Sequence, residues 1–333
     1  MSRTPTIPPV VDQAFLDAHP NAVLADVRWY LDGRDAAAIY RAGHIPGAVF
    51  VDLETALSDH SQPKTAGRHP LPSPEHFAAA MSALGIGDDT TVIAYDDTGG
   101  MTAGRLAVML RMLGRDAAIL NGGINAWDGA LETGDGATPT PATFTAQPWP
   151  TDRLATVDDV ANAAIDGTPL LDARSAERYH GAVAVDPRPG HIPGATSAPC
   201  MANVDGAGRM LPIDTLRDRF TQLGLTPTPD PVRGFQGGQV TPKPTNSQGQ
   251  DNGEGPTAAT DPDRGFQGGQ VTPKPTNDER DDRDTGGEAI TYCGSGVSAC
   301  LNIIAAEHAG MRPPRLYVAS WSGWSADPDR PAE

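Results

Sequence analysis

The run Tyr292-Cys293-Gly294-Ser295-Gly296-Val297-Ser298-Ala299-Cys300 sets a thiol between an apolar, β-branched stretch and a helical one. At a strand-to-helix turn of an open α/β sheet, such a side chain reaches the carboxyl edge, where ligands bind. Gly294 and Gly296 permit a tight loop whose N–H groups turn inward as an anion nest, and the helix start adds its positive end. All three effects favour thiolate, the nucleophilic form of cysteine. Cys293 is therefore a candidate for covalent group transfer. Cys200 and Cys300 lack this setting and read as small buried hydrophobes. A Cys-x5-Arg phosphatase loop is excluded, because Ala299 stands where its arginine is needed.

The elements that must position Cys293 occur twice. Leu24-Ala25-Asp26-Val27-Arg28 is matched by Leu171-Asp172-Ala173-Arg174, and Gly43-His44-Ile45-Pro46-Gly47 by Gly190-His191-Ile192-Pro193-Gly194. Ile93-Ala94-Tyr95-Asp96 matches Ile290-Thr291-Tyr292-Cys293, so the first copy carries an aspartate where the second carries its thiol. Strands are expected at 91–95 and 288–292, and helices at 74–84, 101–113 and 297–309. Strands alternating with helices predict an α/β chain of two tandem units, each a mostly parallel sheet flanked by helices. The units are expected at 1–139 and 157–333, joined by a linker at 140–156. Within the second unit, the block 233–246 recurs word for word at 264–277. The low-complexity insertion at 232–287 holds too few apolar residues to offset its chain entropy and is expected to be disordered. Asp26 with Arg28, and Asp172 with Arg174, read as structural pairs. His44 and His191 read as braces beside the sheet.

Composition narrows the function. With 25 Lys+Arg against 42 Asp+Glu, the net charge is −17, which argues against a nucleic-acid surface. Three cysteines suit a reducing compartment rather than a disulfide framework. No stretch approaches a membrane span, and the N-terminus has no apolar leader core. A cytoplasmic protein without nucleic-acid or membrane partners is expected.

Taken together, the tandem unit, both Gly-His-Ile-Pro-Gly runs, the loop Cys293-Gly294-Ser295-Gly296-Val297-Ser298-Ala299 and the terminal Ser320-Trp321-Ser322-Gly323-Trp324 resemble the two-domain rhodanese sulfurtransferases. Within them the loop is similar to the 3-mercaptopyruvate branch. The resemblance implies two rhodanese-like domains of which the second is catalytic, with no metal and no organic cofactor. It implies a Cys293 persulfide formed from a small sulfur donor and passed to cyanide, a thiol or a thioredoxin-like acceptor. It further implies that Ser295 works with His69 and Asp52, and that Arg178 and Arg188 bind the donor carboxylate. Gly294, Gly296, Val297 and Ser298 would complete the substrate loop. The thiosulfate branch resembles Cys-Arg-Lys-Gly-Val-Thr, with two cations in the loop. The uncharged Gly294 and Ser295 are expected to suit the monoanion 3-mercaptopyruvate. Thiosulfate as donor, or a sulfur-carrier module with no preferred small donor, are the competing readings.

Overall fold

The computed structural model describes residues 4–136, 138–183, 185–228 and 288–333. The insertion expected at 232–287 lies outside the described residues. The apolar runs build two sheets. In the first, β1 (Val10–Val11), β2 (Val23–Asp26), β3 (Val49–Phe50), β4 (Val92–Tyr95) and β5 (Ala117–Leu120) take the order β1-β5-β4-β2-β3. In the second, β6 (Leu170–Asp172), β7 (Thr196–Ser197), β8 (Ile290–Tyr292) and β9 (Arg315–Leu316) take the order β7-β6-β8-β9. Every neighbouring pair is parallel. Matching β2–β5 with β6–β9 makes the two orders identical, so the repeated sequence folds into a repeated topology. The counterpart of β1 shrinks to a single parallel bridge between Leu154 and Leu316.

β4 and β8 are buried along their whole length, as parallel strands covered on both faces must be. Each runs into a loop and then a helix, Ala103–Met112 after β4 and Ala299–His308 after β8. Both helices are apolar nearly all round, the signature of a helix with no solvent face. They share one hydrophobic cluster that includes Ala103, Leu106, Ala107, Leu110, Ala299, Leu301 and Ile304. Both begin two residues later than the sequence pattern suggests; in the first copy the N–H groups of Thr102 and Ala103 turn back to Asp96 at the end of the preceding strand. The helix Pro74–Ala83 opens as expected: the Ser73 hydroxyl accepts from the His76 N–H at 3.1 Å, with proline at the first position.

Two predicted pairs brace the repeats. Arg28 forks onto Asp26, with the shortest contact at 2.6 Å, and donates to the Gly43 carbonyl at 2.8 Å. Arg174 does the same with Asp172 and Gly190, at 2.6 and 2.8 Å. His44 and His191 stack on Tyr40 and Tyr179, with ring centroids 3.9 and 3.8 Å apart. The stretch expected as a linker is packed: Phe144 and Trp149 both lie against Phe77, and Trp149 Nε1 donates to the Pro72 carbonyl at 2.8 Å. Among the described residues, no helix is long and apolar enough to cross a membrane.

Candidate active site

Cys293 follows β8 directly and is only 1% exposed. The Gly296 N–H points at its Sγ from 3.1 Å. Burial pushes a thiol up. Here the Ser298 hydroxyl and the N–H groups of Ser295, Ala299 and Gly296 outweigh it and leave Cys293 below the ordinary thiol value. Cys200 and Cys300 provide the contrast inside the same core. Both are buried, and burial lifts each to about 12. Cys300 remains a thiol and donates to the Gly296 carbonyl at 3.4 Å. Of three buried cysteines, only Cys293 is poised to ionise.

The first repeat shows what this loop is built to hold. Asp96 occupies the position of Cys293, and its carboxylate accepts from the N–H groups of Thr98, Gly100, Thr102 and Ala103 at 2.8–2.9 Å. The Thr102 hydroxyl adds a fifth contact at 3.0 Å. In one copy the nest holds a carboxyl group, and in the other a thiol. Gly296 has φ +77°, and a Cβ there would sit 2.5 Å from the Val318 carbonyl oxygen, so only glycine closes this loop. The terminal motif fastens it from below. Trp321 N–H donates to the Cys293 carbonyl at 3.0 Å and Ser322 N–H to the Gly294 carbonyl at 2.9 Å.

Above the loop lies a cavity of about 560 Å³ lined by Cys293, Gly294, Ser295, Val297 and Ser298 on one side. Trp29, Tyr30, Leu31, Asp32, Thr98, Met101, Thr102 and the arginines 34, 68 and 178 line the rest. Arg178 and Arg68 come down on Gly294: a Cβ on that glycine would lie 2.5 Å from Arg178 Nη2 and 3.0 Å from Arg68 Nη2. Arg68 Nη1 donates to Asp186 Oδ1 at 2.6 Å and Arg178 Nη2 to Asp186 Oδ2 at 3.0 Å, so one carboxylate holds both guanidinium groups. The loop residues carry no cation, as the sequence says. Two are nevertheless delivered over Gly294 from elsewhere in the chain.

The duplicated parallel α/β fold that carries this loop is shared with known proteins. Residues 14–130 match the family described as Rhodanese-like domain. A Pseudomonas aeruginosa protein named "Probable 3-mercaptopyruvate sulfurtransferase" is 35% identical, over 94% of this chain and 93% of that one. The chain belongs to the rhodanese-family sulfurtransferases. An Arabidopsis thaliana relative, "Thiosulfate/3-mercaptopyruvate sulfurtransferase 1, mitochondrial", is 28% identical over 100% of this chain and 80% of its own. The solved 3-mercaptopyruvate sulfotransferase SseA of Escherichia coli superposes with a TM-score of 0.67 at 28% identity, covering 95% of this chain and 99% of that one.

This sulfurtransferase brings some of the expected residues together and leaves others apart. Ser295 lines the cavity beside Cys293 and supplies an N–H to it, and Arg178 lies over the loop. Arg188 does not reach the cavity. Its guanidinium donates to the carbonyls of Ser325, Arg330 and Asp327, at 3.2, 2.8 and 3.0 Å, and so braces the C-terminal segment. Arg68, next to the expected His69, is the second arginine of the site.

Asp52 is not the carboxylate against His69. It caps the helix Leu53–Ala56, accepting from the Glu54 N–H at 3.0 Å and the Thr55 hydroxyl at 3.1 Å. Glu54 takes the expected place, with His69 Nε2 3.3 Å from its Oε1, Trp29 Nε1 at 2.6 Å and His60 Nε2 at 2.7 Å. The bond with His69 is the main reason that Glu54 falls to about 2, against its partial burial. Burial also pushes His69 below the ordinary imidazole value, with Glu54 only partly offsetting it. A carboxylate only accepts, so Nε2 carries the proton and Nδ1 keeps its lone pair. Nδ1 is buried without a hydrogen-bond partner, so neither ring nitrogen is bonded to Asp52 or Ser295.

Arg105 escaped the sequence reading altogether. Fully buried within the helix Ala103–Met112, it donates to the carbonyls of Gly296, His69 and Leu57 at 2.9, 3.0 and 3.2 Å. Its signal was available: a charged residue between Gly104 and the apolar run 106–110 must satisfy something inside the core.

Proposed function

We propose that this sulfurtransferase takes sulfur from 3-mercaptopyruvate through a Cys293 persulfide and passes it to a thiol or to cyanide. The observation that carries the reading is the placement of Arg178 and Arg68 directly over Gly294, one residue from the ionisable thiol. A planar guanidinium binds a carboxylate bidentately. A donor whose carboxylate sits under this pair presents a group two or three bonds away to Cys293.

In the first half-reaction the Cys293 thiolate attacks the donor sulfur, forming the S–S bond while the donor C–S bond breaks. The electron pair leaves with carbon as the pyruvate enolate. The proton from the donor thiol ends on that carbon, giving pyruvate and the Cys293 persulfide anion, so the charge is unchanged. Ser295 and Ser298 both line the cavity; with the Ser298 hydroxyl on the Cys293 sulfur, the role of Ser295 in this reading is to relay that proton. His69, held by Glu54 and neutral near pH 7, stands behind as the positioned imidazole. The nest that favours thiolate favours persulfide anion equally, so one loop serves both half-reactions. In the second, an acceptor thiolate attacks the outer sulfur and releases the Cys293 thiolate.

Thiosulfate is the second reading, and two arginines at the site favour it more than the loop sequence alone would. Steady-state kinetics with both donors and one acceptor separates them. A higher kcat/KM for 3-mercaptopyruvate is expected, and a higher value for thiosulfate overturns the donor assignment.

A further inference from the structure

We propose that Asp186 is a positioning residue that sets both the spacing and the net charge of the Arg68–Arg178 pair, and thereby matches the site to donors carrying a single negative charge. The proposal rests on the reading that a small anionic donor binds under these arginines. The Asp186 side chain is 2% exposed and does not line the cavity, so it lies behind the guanidinium groups rather than in the donor's path. Each of its oxygens takes one arginine, at 2.6 and 3.0 Å. Two like charges that both reach one glycine repel each other, and the shared carboxylate is what holds them together. It also changes what the donor meets. Over Gly294 the two guanidinium groups and this one carboxylate sum to a single positive charge, while Arg34 and Asp32, which also line the cavity, neutralise each other at 3.0 Å. A dianion gains from each unit of positive charge about twice what a monoanion gains. Buried aspartate therefore works against the dianion.

Asp186 stands eight residues beyond Arg178 and far from Arg68 in sequence, so its effect on chemistry would run only through the arginines. That predicts an effect on KM rather than on kcat.

The experiment uses full-length protein with Asp186→Asn and Asp186→Glu, and two donors that differ in charge but share a sulfane sulfur on a sulfonyl group: thiosulfate, a dianion, and methanethiosulfonate, a monoanion. Asp186→Asn leaves two uncompensated positive charges. The ratio of kcat/KM for thiosulfate to that for methanethiosulfonate is expected to rise about ten-fold or more, carried by KM. Asp186→Glu, which restores the charge, is expected to bring the ratio back toward the parent value. A ratio that stays within two-fold in Asp186→Asn overturns the proposal. So does an equal loss with both donors in the two variants, which marks Asp186 as a brace alone. Neither readout involves 3-mercaptopyruvate. If the parent protein fails to use that donor, the donor assignment falls while the charge argument is still tested.

Discussion

Arg105 Nη1 lies 2.9 Å from the Gly296 carbonyl oxygen, so a helix of the first repeat holds the loop that carries Cys293 in the second. The same guanidinium reaches the carbonyl of His69, and so the two halves of the site are fixed by one side chain. Arg105→Lys keeps the charge but lacks the fork that spans three carbonyls. Each buried carbonyl left unpaired costs about 1–3 kcal/mol. A loss of about 2–4 kcal/mol in urea unfolding is expected, with kcat/KM reduced about ten-fold or more as the loop and His69 separate. Unchanged stability and turnover would contradict this role.

Cys293 should react as a thiolate under conditions where the other two cysteines do not. Alkylation with iodoacetamide, followed by peptide mass spectrometry, is expected to rise with pH to a plateau whose midpoint lies below the ordinary thiol range of about 8.5. Cys200 and Cys300, each raised to about 12 by burial, should stay unmodified until the protein unfolds. Ser298→Ala removes one hydrogen bond to the anion and should cut the thiolate fraction near neutral pH about ten-fold. A midpoint that does not move excludes the Ser298 hydroxyl from thiolate stabilisation.

Ser320 is the one non-glycine residue with positive φ among the described residues, at +54°. The equivalent place in the first repeat is Gly123, whose absent Cβ would run into the Asp96 carbonyl. The Ser320 hydroxyl accepts the Cys293 N–H at 3.1 Å and donates to the Tyr317 carbonyl at 2.9 Å, which is the gain that offsets the strained backbone. Ser320→Ala loses that gain and keeps the strain, whereas Ser320→Gly loses both. The glycine variant should be the more stable by about 1–2 kcal/mol in thermal or urea unfolding, and both should transfer sulfur more slowly than the parent. Alanine proving as stable as glycine would remove the argument for strain.

Glu54 gives the fold a pH signature. Held at about 2 rather than 4.5, it stabilises the native state above pH 4.5 and loses that contribution as the pH falls toward 2. The stability gap between the parent protein and Glu54→Gln should therefore be widest above pH 4.5 and close on acidification. Its partial exposure to solvent keeps the gap modest. Urea unfolding at pH 3 and pH 6 reads it directly, and a gap independent of pH would show that the carboxylate charge is not what His69 meets.

Much of the catalytic loop was legible because its physics is local. A β-branched run before Cys293, glycines at 294 and 296 and an apolar helix after them dictate a strand, a nest and a helix start within a few residues. The duplication made the reading firmer, since Asp96 marks in the first copy the anion position that Cys293 occupies in the second. The Asp–Arg pairs and the Ser73 cap were legible for the same reason, each closing its bonds within one turn. Asp52 misled for the converse reason. It is an aspartate before a short helix, and the nearby backbone N–H of Glu54 claims its carboxylate before His69 can.

The charges of the site belong to the tertiary structure. Arg68 meets Asp186 across 118 residues, and Arg105 meets Gly296 across 191. No spacing in the chain announces either contact. The amino-acid sequence by itself determined the duplicated α/β topology, the nest and the cysteine seated in it, because short-range hydrogen bonds and hydrophobic periodicity decide them. Which arginines stand over Gly294 and which carboxylate meets His69 were decided only when the two repeats packed together. A long cationic side chain has many partners within reach, and packing selects Asp186 for Arg68 and Arg178 and three backbone carbonyls for Arg105.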